Sequence, residues 1–274
     1  MNRNKQWRLI RSKSFSGEIN MAFDMLLLNS LKSVTGKPTL RFFRWNNPTI
    51  SYGANQKNIE RIIDSQQCRK YNITVVKRPT GGRELLHGYD LSYSVVGHID
   101  SEESAIHSIK KLCARIHDVI IRGLIGCGLK EEGFRYGLAG QRGYDLKETK
   151  PCFISVTGNE ISYYGKKIVG SAQKREDNVF LQHGSIQLVD GTVSIAKLLN
   201  IGEEERNRLY EKLRNSVTSL QQALGYEDGI ESNYRILENK IVESFSDLFG
   251  VELNQKNITE KEMQAIKQIT NINL

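Results

Sequence analysis

Lys77–Asp90 reads KRPTGGRELLHGYD, and the rest of the chain arranges itself around this stretch. Apolar runs flank it, Ile73–Val76 before and Leu91–Val96 after, so it is a polar turn between strands. Thr80-Gly81-Gly82-Arg83 stands at its centre. Glycines there admit positive φ and let backbone N–H groups approach a ligand without a Cβ in the way. The pattern matches neither G-x-x-x-x-G-K-[ST] nor G-x-G-x-x-G, so both usual nucleotide fingerprints are missing. A tight hairpin turn alone would account for Gly-Gly. Arg78 before it and His87 after it add polar groups that could line the same opening.

Working outward, Ile19–Ser33 carries Met21, Met25, Leu28 and Leu31 at helical spacing. Thr39–Trp45 and Thr49–Tyr52 are predicted strands around the turn Asn46-Asn47-Pro48. Asn58–Tyr71 is a predicted helix, Ile73–Lys77 a short buried strand, and Glu84–Leu86 and Leu91–Val96 strands either side of His87–Asp90. Glu102–Gly126 is the longest predicted helix. Beyond Cys152 the pattern becomes an antiparallel meander: Glu160–Tyr164, Lys167–Ser171, Val179–Ser185 and Ile186–Val189, turning at Gly165 and Asp177-Asn178. Gly202 to Leu224, Tyr234 to Phe249 and Thr259 to Ile269 are helical and amphipathic. The implied class is α+β, with mixed and antiparallel sheets flanked by helices. No linker interrupts the chain, so residues 1–274 read as a single domain whose part from about 203 to 274 is helical.

The formal charge of +8 points to an acidic partner or to nothing more than a solvated basic surface. No apolar run approaches the roughly 18 residues of a membrane span, and the basic N-terminus lacks an apolar stretch after it. Cytoplasmic residence is the expectation, with no membrane partner. Cysteines 68, 113, 127 and 152 include no C-x-x-C pair, which excludes a zinc-ribbon spacing and argues against a disulfide framework. Cys113 and Cys127 fall in phase with Ile109, Leu112, Ile116, Val119, Ile120 and Leu124, as core residues do. The histidines show no metal-ligand spacing, so no metal is expected.

Cys152 differs from the others: Lys150, Pro151 and Phe153 surround it outside any clear helix. A nearby cation would lower its pKa into the nucleophilic range. GKKIVGSA (Gly165–Ala172) offers one. Strand alternation puts Lys167 and Val169 on one face and Lys166 and Ile168 on the other. An inward Lys167 needs a partner, because an unpaired buried charge is costly. Exposed hairpin lysines are the plainer reading of this segment taken alone.

KRPTGGRELLHGYDLSYSV, the Cys152 loop, GKKIVGSAQ and LQHGSI resemble the motifs of the biotin/lipoate protein ligase and transferase superfamily. TLRFFRWNNPTISYGANQ upstream resembles that family's L-R-x-x-x-W…S-x-G…Q block, and VTSLQQALG and FGVEL resemble its C-terminal features. The resemblance implies the superfamily's catalytic-domain fold over nearly the whole chain. T-G-G-R, where ligases have S-G-G-G, and a cysteine, where ligases carry Asn-Asp, favour the cysteine-dependent octanoyltransferase branch. By resemblance, Cys152 is the acyl-thioester nucleophile and Lys167 activates it and orients the acyl carbonyl. Arg78, Thr80, Gly81, Gly82, Arg83, His87, Gly170, Ser171, Ala172 and His183 would bind substrate. One departure stands out: the family has His-Asp where this chain has His87-Gly88. The aspartate's role is then lost or moved to Asp90.

The implied donor is octanoyl-acyl carrier protein. The acceptor is the lipoyl-domain lysine of a glycine-cleavage H protein or a 2-oxoacid dehydrogenase subunit, with no cofactor required. Alternatives are an ATP-dependent lipoate–protein ligase and an amidotransferase drawing octanoyl from H protein. A nucleic-acid-binding module is the alternative of another class, although no helix-turn-helix precedes residue 40 and no aromatic-basic RNA motif is present.

Overall fold

The computed structural model describes residues 5–99, 105–136, 160–191, 193–225 and 230–270. Strands are β1 (Lys5–Phe15), β2 (Thr39–Trp45), β3 (Thr49–Tyr52), β4 (Thr74–Lys77), β5 (Leu85–His87) and β6 (Asp90–His98). They continue with β7 (Phe134–Tyr136), β8 (Glu160–Tyr163), β9 (Lys166–Glu176), β10 (Val179–Gln187) and β11 (Val251–Gln255). The helices begin with α1 (Gly17–Lys32), α2 (Ile59–Ile62), α3 (Ser65–Lys70) and α4 (Ala105–Gly126). Then come α5 (Glu203–Ser216), α6 (Leu220–Leu224), α7 (Ile230–Phe249) and α8 (Glu260–Thr270). Eight strands make one sheet in the order β11-β1-β2-β6-β10-β9-β8-β7, and β4-β3-β5 make a second. In the large sheet β1 runs parallel to β11 and β2, and the other pairs are antiparallel. The α+β class with mixed sheets therefore holds.

Alternation along β6 separates the two faces of the large sheet. Leu91, Tyr93 and Val95 join Ile116, Ile120 and Leu124 of α4 and Leu237, Ile241 and Phe245 of α7. Val96 faces the other way, where Ile10 and Leu181 meet Ile19, Phe23 and Leu28 of α1 and Ile266 of α8. Helix α1 starts where Ser16 Oγ accepts from the Ile19 N–H, with Glu18 in its first turn and Lys32 in its last. Both charges suit the helix dipole. Phe23 and Leu28 are 0% exposed, and burying each stabilises the fold by about 1.5–3 kcal/mol.

The small sheet lies on the α1 face, because Val76 of β4 packs with Met21, Phe43 and Trp45. Ile50, Ile63, Cys68, Ile73 and Leu198 close its far side. This placement sets the Lys77–Asp90 stretch against the centre of the large sheet.

Several local expectations change. β2 and β3 do not pair with each other; the Asn46–Pro48 turn passes the chain from one sheet to the other. The helix expected over 58–71 breaks after α2, because Asp64 accepts from the Gln66 and Gln67 N–H groups and restarts the chain as α3. β4 is not a buried strand: it is an edge, and only Val76 is buried. Residues 179–187 form one strand rather than two. The helix expected over 202–224 is interrupted between α5 and α6, where the Thr218 N–H donates to the Lys167 carbonyl at 3.0 Å. The stretch from about 203 carries a strand too, since β11 extends the large sheet beside β1. Cys113 is buried on α4, whereas Cys127 is half-buried. Cys152 lies outside the described residues. Among those described, no helix is long and apolar enough to cross a membrane.

Candidate active site

The 78–83 loop is held by the side chain that precedes it. Arg78 is buried, and its guanidinium donates to the Gly81 carbonyl at 2.8 and 3.1 Å and to the Arg83 carbonyl at 2.6 Å. It also donates to the carbonyl and Oγ of Ser51, at 2.9 and 3.2 Å. Arg78 thus acts as a brace that fixes the curvature of the loop. The Ala54 N–H donates to the Thr80 carbonyl at 2.8 Å, tying the loop to the end of β3. A Cβ on Gly53 would stand 1.9 Å from the Gly82 oxygen, so no other residue fits beneath the loop. Gly53→Ala is therefore expected to push the loop off β3, read as faster amide hydrogen exchange over residues 79–83 against unchanged far-ultraviolet circular dichroism.

Above the loop stand two imidazoles built alike. His183, on β10, has Nδ1 3.1 Å from Asp24 Oδ2 and Nε2 2.6 Å from Thr80 Oγ1. His87, at the end of β5, has Nδ1 3.0 Å from Asp90 Oδ2 and Nε2 2.8 Å from Ser51 Oγ. With both carboxylates ionised, each Nδ1–H donates to its aspartate, and each Nε2 accepts from a hydroxyl. Trp45 stacks on His87 with centroids 4.2 Å apart and donates to Ser92 Oγ at 2.9 Å. Asp90 accepts further bonds from the Gly88 N–H at 2.9 Å and from the Ser92 and Ser185 hydroxyls at 2.7 Å. The carboxylate beside His87 thus comes from Asp90, three residues on. Gly88 itself has φ +127°, and a Cβ there would press on Pro48 at 3.1 Å.

Burial acts to raise both carboxyls, but their partners outweigh it. His183, Arg41 and Ser94 leave Asp24 below the usual carboxylate range, and His87, Gly88 and Ser185 do the same for Asp90. Burial pushes His183 down despite Asp24, and pushes His117 of α4 down to about 4. An unfolded chain takes up these protons near the usual 6.5, whereas the native state resists until lower pH. Stability is therefore complete above about pH 6.5 and falls as pH drops towards 4, by about 3 kcal/mol for His117 alone. Urea midpoints at pH 7 and 4.5 check this; the depressed aspartates give way only below that window.

Lys167 is 5% exposed, and its Nζ donates to Glu160 Oε1 at 2.7 Å across the β8–β9 hairpin. The alternation expected here fails. A register shift at Ile161/Ser162 lets Ile168 and Val169 both enter the core beside α4. The Lys167 side chain lies instead against Gly170, where a Cβ would be 3.2 Å from its Cε. Gly170 pairs with Ser185, and Ala172 pairs with His183, so these residues share one face of the sheet. Ser171 does not join them. Its Oγ is on the α4 side, 3.1 Å from both Tyr93 OH and His117 Nε2. A cleft of about 380 Å³ opens beside the site, walled by Leu86, Gln187, Val189, Leu213, Thr218 and others.

One face thus carries a braced glycine loop, two fixed imidazoles and a buried ammonium. The lipoyl protein ligase A/B catalytic domain matches residues 16–242 of the chain. The chain belongs to this family. It is 32% identical to the protein named Octanoyltransferase LipM of Clostridioides difficile over 265 residues, covering 96% of this chain and 94% of that one. The Octanoyltransferase LipM of Moorella thermoacetica is 34% identical over 266 residues, covering 96% and 93%. Among solved structures, the bipartite lipoate protein ligase of Thermoplasma acidophilum is similar in fold, with a TM-score of 0.74 at 20% identity, covering 97% of this chain and 92% of that one.

Within this lipoyl ligase/transferase domain, the sequence alone missed Asn20, Asp24, Arg41, Ser51 and Glu160. A signal existed for two of them: Asn20 and Asp24 are one helical turn apart on an otherwise apolar face of α1, and both are 0% exposed. Nothing local marks Glu160, which is defined by its place across the hairpin from Lys167.

Proposed function

We propose that this protein is an octanoyltransferase that carries an octanoyl group from an acyl carrier protein to the lysine of a lipoyl domain, through a thioester on Cys152. What carries the reading is identity of about a third, over nearly the full length, to proteins named octanoyltransferase. The three described cysteines are poor nucleophiles. Burial raises Cys68 and pushes Cys113 and Cys127 up to about 11. Cys152, outside the described residues, is then the thiol we assign.

In the first step the Cys152 sulfur bonds to the octanoyl carbonyl carbon, and the donor's C–S bond breaks. The donor leaves as a thiol, so one thioester replaces another at little cost. In the second, the acceptor amine bonds to the same carbon, the Cys152 C–S bond breaks, and the proton lost by the amine returns to the Cys152 sulfur. The product amide is more stable than the thioester, so ATP is not called for. Lys167, pinned by Glu160 over Gly170, is the cation we assign to the acyl oxygen and the thiolate. Thr80, Gly81, Gly82, Arg83, His87, Gly170, Ala172 and His183 form the substrate-binding face in this reading. Arg78 and Ser171 support it from behind.

The whole chain acts as one catalytic domain in this reading, in the cytoplasm. A net charge of +8 suits an acidic donor and acceptor. The test is transfer to a purified lipoyl domain from octanoyl-acyl carrier protein, without ATP or magnesium. Acylated acceptor is expected; acylation only with ATP and free octanoate would mean a ligase.

A further inference from the structure

His117 belongs to α4, on the face of the large sheet opposite the imidazole pair, and none of the chemistry above uses it. It is 3% exposed, and its Nε2 lies 3.1 Å from Ser171 Oγ. Cys113 Sγ is 3.8 Å from the same nitrogen, but burial pushes that thiol up to about 11, so the two are not a nucleophile and its base.

The hydrogen bonds that lead to Ser171 have a single direction. Gln173 donates to Gln182 Oε1 at 2.6 Å, and Gln182 donates to Tyr93 OH at 3.4 Å. Tyr93 OH then donates to Ser171 Oγ at 3.1 Å. Ser171 Oγ, already an acceptor, has its own proton for His117 Nε2. A neutral imidazole accepts it, and burial keeps His117 neutral at physiological pH. Gly184 makes the space for this line: a Cβ there would come 2.6 Å from Tyr93 Cε1.

We propose that His117 is a positioning residue for acyl transfer, fixing the Gly170–Ala172 segment of β9 through Ser171 from the far side of the sheet. Ser171 is the middle residue of that segment. Its neighbours Gly170 and Ala172 face Ser185 and His183, and Gly170 lies under the Lys167 side chain. Anchoring Ser171 to a rigid helix thus sets the strand on which the ammonium rests. The inference depends on the octanoyltransferase reading for its kinetic consequence only.

The test compares wild type, His117→Leu, His117→Gln, Ser171→Ala and the Leu/Ala double variant, at a temperature where all are folded. Transfer from octanoyl-acyl carrier protein to a lipoyl domain gives kcat and KM, and amide hydrogen exchange reports on residues 168–174. His117→Leu is expected to lower kcat about tenfold while both KM values stay within about twofold. His117→Gln, whose amide oxygen can accept from Ser171, restores most of it. In the Ser171→Ala background His117→Leu adds nothing, since the link is already cut. Exchange over 168–174 quickens in His117→Leu and Ser171→Ala alike. An unchanged kcat in folded His117→Leu, or an equal loss in the Ser171→Ala background, overturns the proposal. Should His117→Leu not fold, Ser171→Ala decides: unchanged kcat and unchanged exchange overturn it. A wild type that transfers no octanoyl sinks the functional reading instead, and exchange alone then decides whether His117 holds the strand.

Discussion

Lys167→Met is expected to cut octanoyl transfer by about 10²–10³-fold, the usual cost of removing a preorganised group that meets charge in the transition state. The same change leaves Glu160, 5% exposed, without the ammonium that lies 2.7 Å away. Stability should drop as well, because a buried carboxylate is costly without its counter-charge. The two losses can be separated. In Lys167→Met combined with Glu160→Leu the stability should return while transfer stays low, because the apolar pair restores packing but not the cation. Urea unfolding and steady-state transfer on the two variants check both halves. If activity recovered together with stability, Lys167 would be a structural residue only.

Arg41→Met is expected to destabilise the protein by about 3–5 kcal/mol, the range for breaking one side of a fully buried ion pair. Arg41 and Asp24 are both 0% exposed and meet at 2.8 Å. The guanidinium also donates to Ser12 Oγ at 3.0 Å and to Asn20 Oδ1 at 2.6 Å. It is sandwiched between Phe23 and Phe43, 4.6 and 4.2 Å from the ring centroids. Methionine fills part of that slot but leaves the Asp24 carboxylate with only His183 and Ser94. Equilibrium urea unfolding at pH 7 measures the loss. Transfer by the folded fraction should fall too, since Asp24 holds His183, and His183 holds Thr80. A change below about 1 kcal/mol would mean that the pair carries no net stability here.

These expectations mark which contacts the sequence could reveal. β2 and β3 were legible from their apolar runs, and the β8–β9 and β9–β10 turns from Gly165 and Asp177-Asn178. β1 was not, because Arg8, Arg11, Lys13, Ser12 and Ser14 dilute its apolar alternation. Two of its polar side chains are met by distant residues: Ser12 Oγ accepts from Arg41, and Arg8 donates to Glu262. β11 is five residues long and is a strand because β1 lies beside it. Sheet order is the general reason. The sequence β11-β1-β2-β6-β10-β9 brings chain ends and centre together with no local cue.

Legibility of the site divides the same way. The glycine loop, His87, Lys167 and His183 stood out by residue type and motif. Their partners did not: Asp24 reaches His183 across 159 residues of chain, and Thr80 reaches it across 103. Ser171 could have been separated from Gly170 and Ala172 by strand alternation alone, which sends every second side chain to the far face. The Lys167 face was misread for the opposite reason, since a register shift breaks that alternation.

The most direct measurement is the intact mass of the purified protein after incubation with octanoyl-acyl carrier protein, without ATP. Wild type should gain one octanoyl group, released again by a lipoyl-domain acceptor, and Cys152→Ala should gain none. No adduct on the wild type, or an equal adduct on Cys152→Ala, would contradict transfer through a Cys152 thioester.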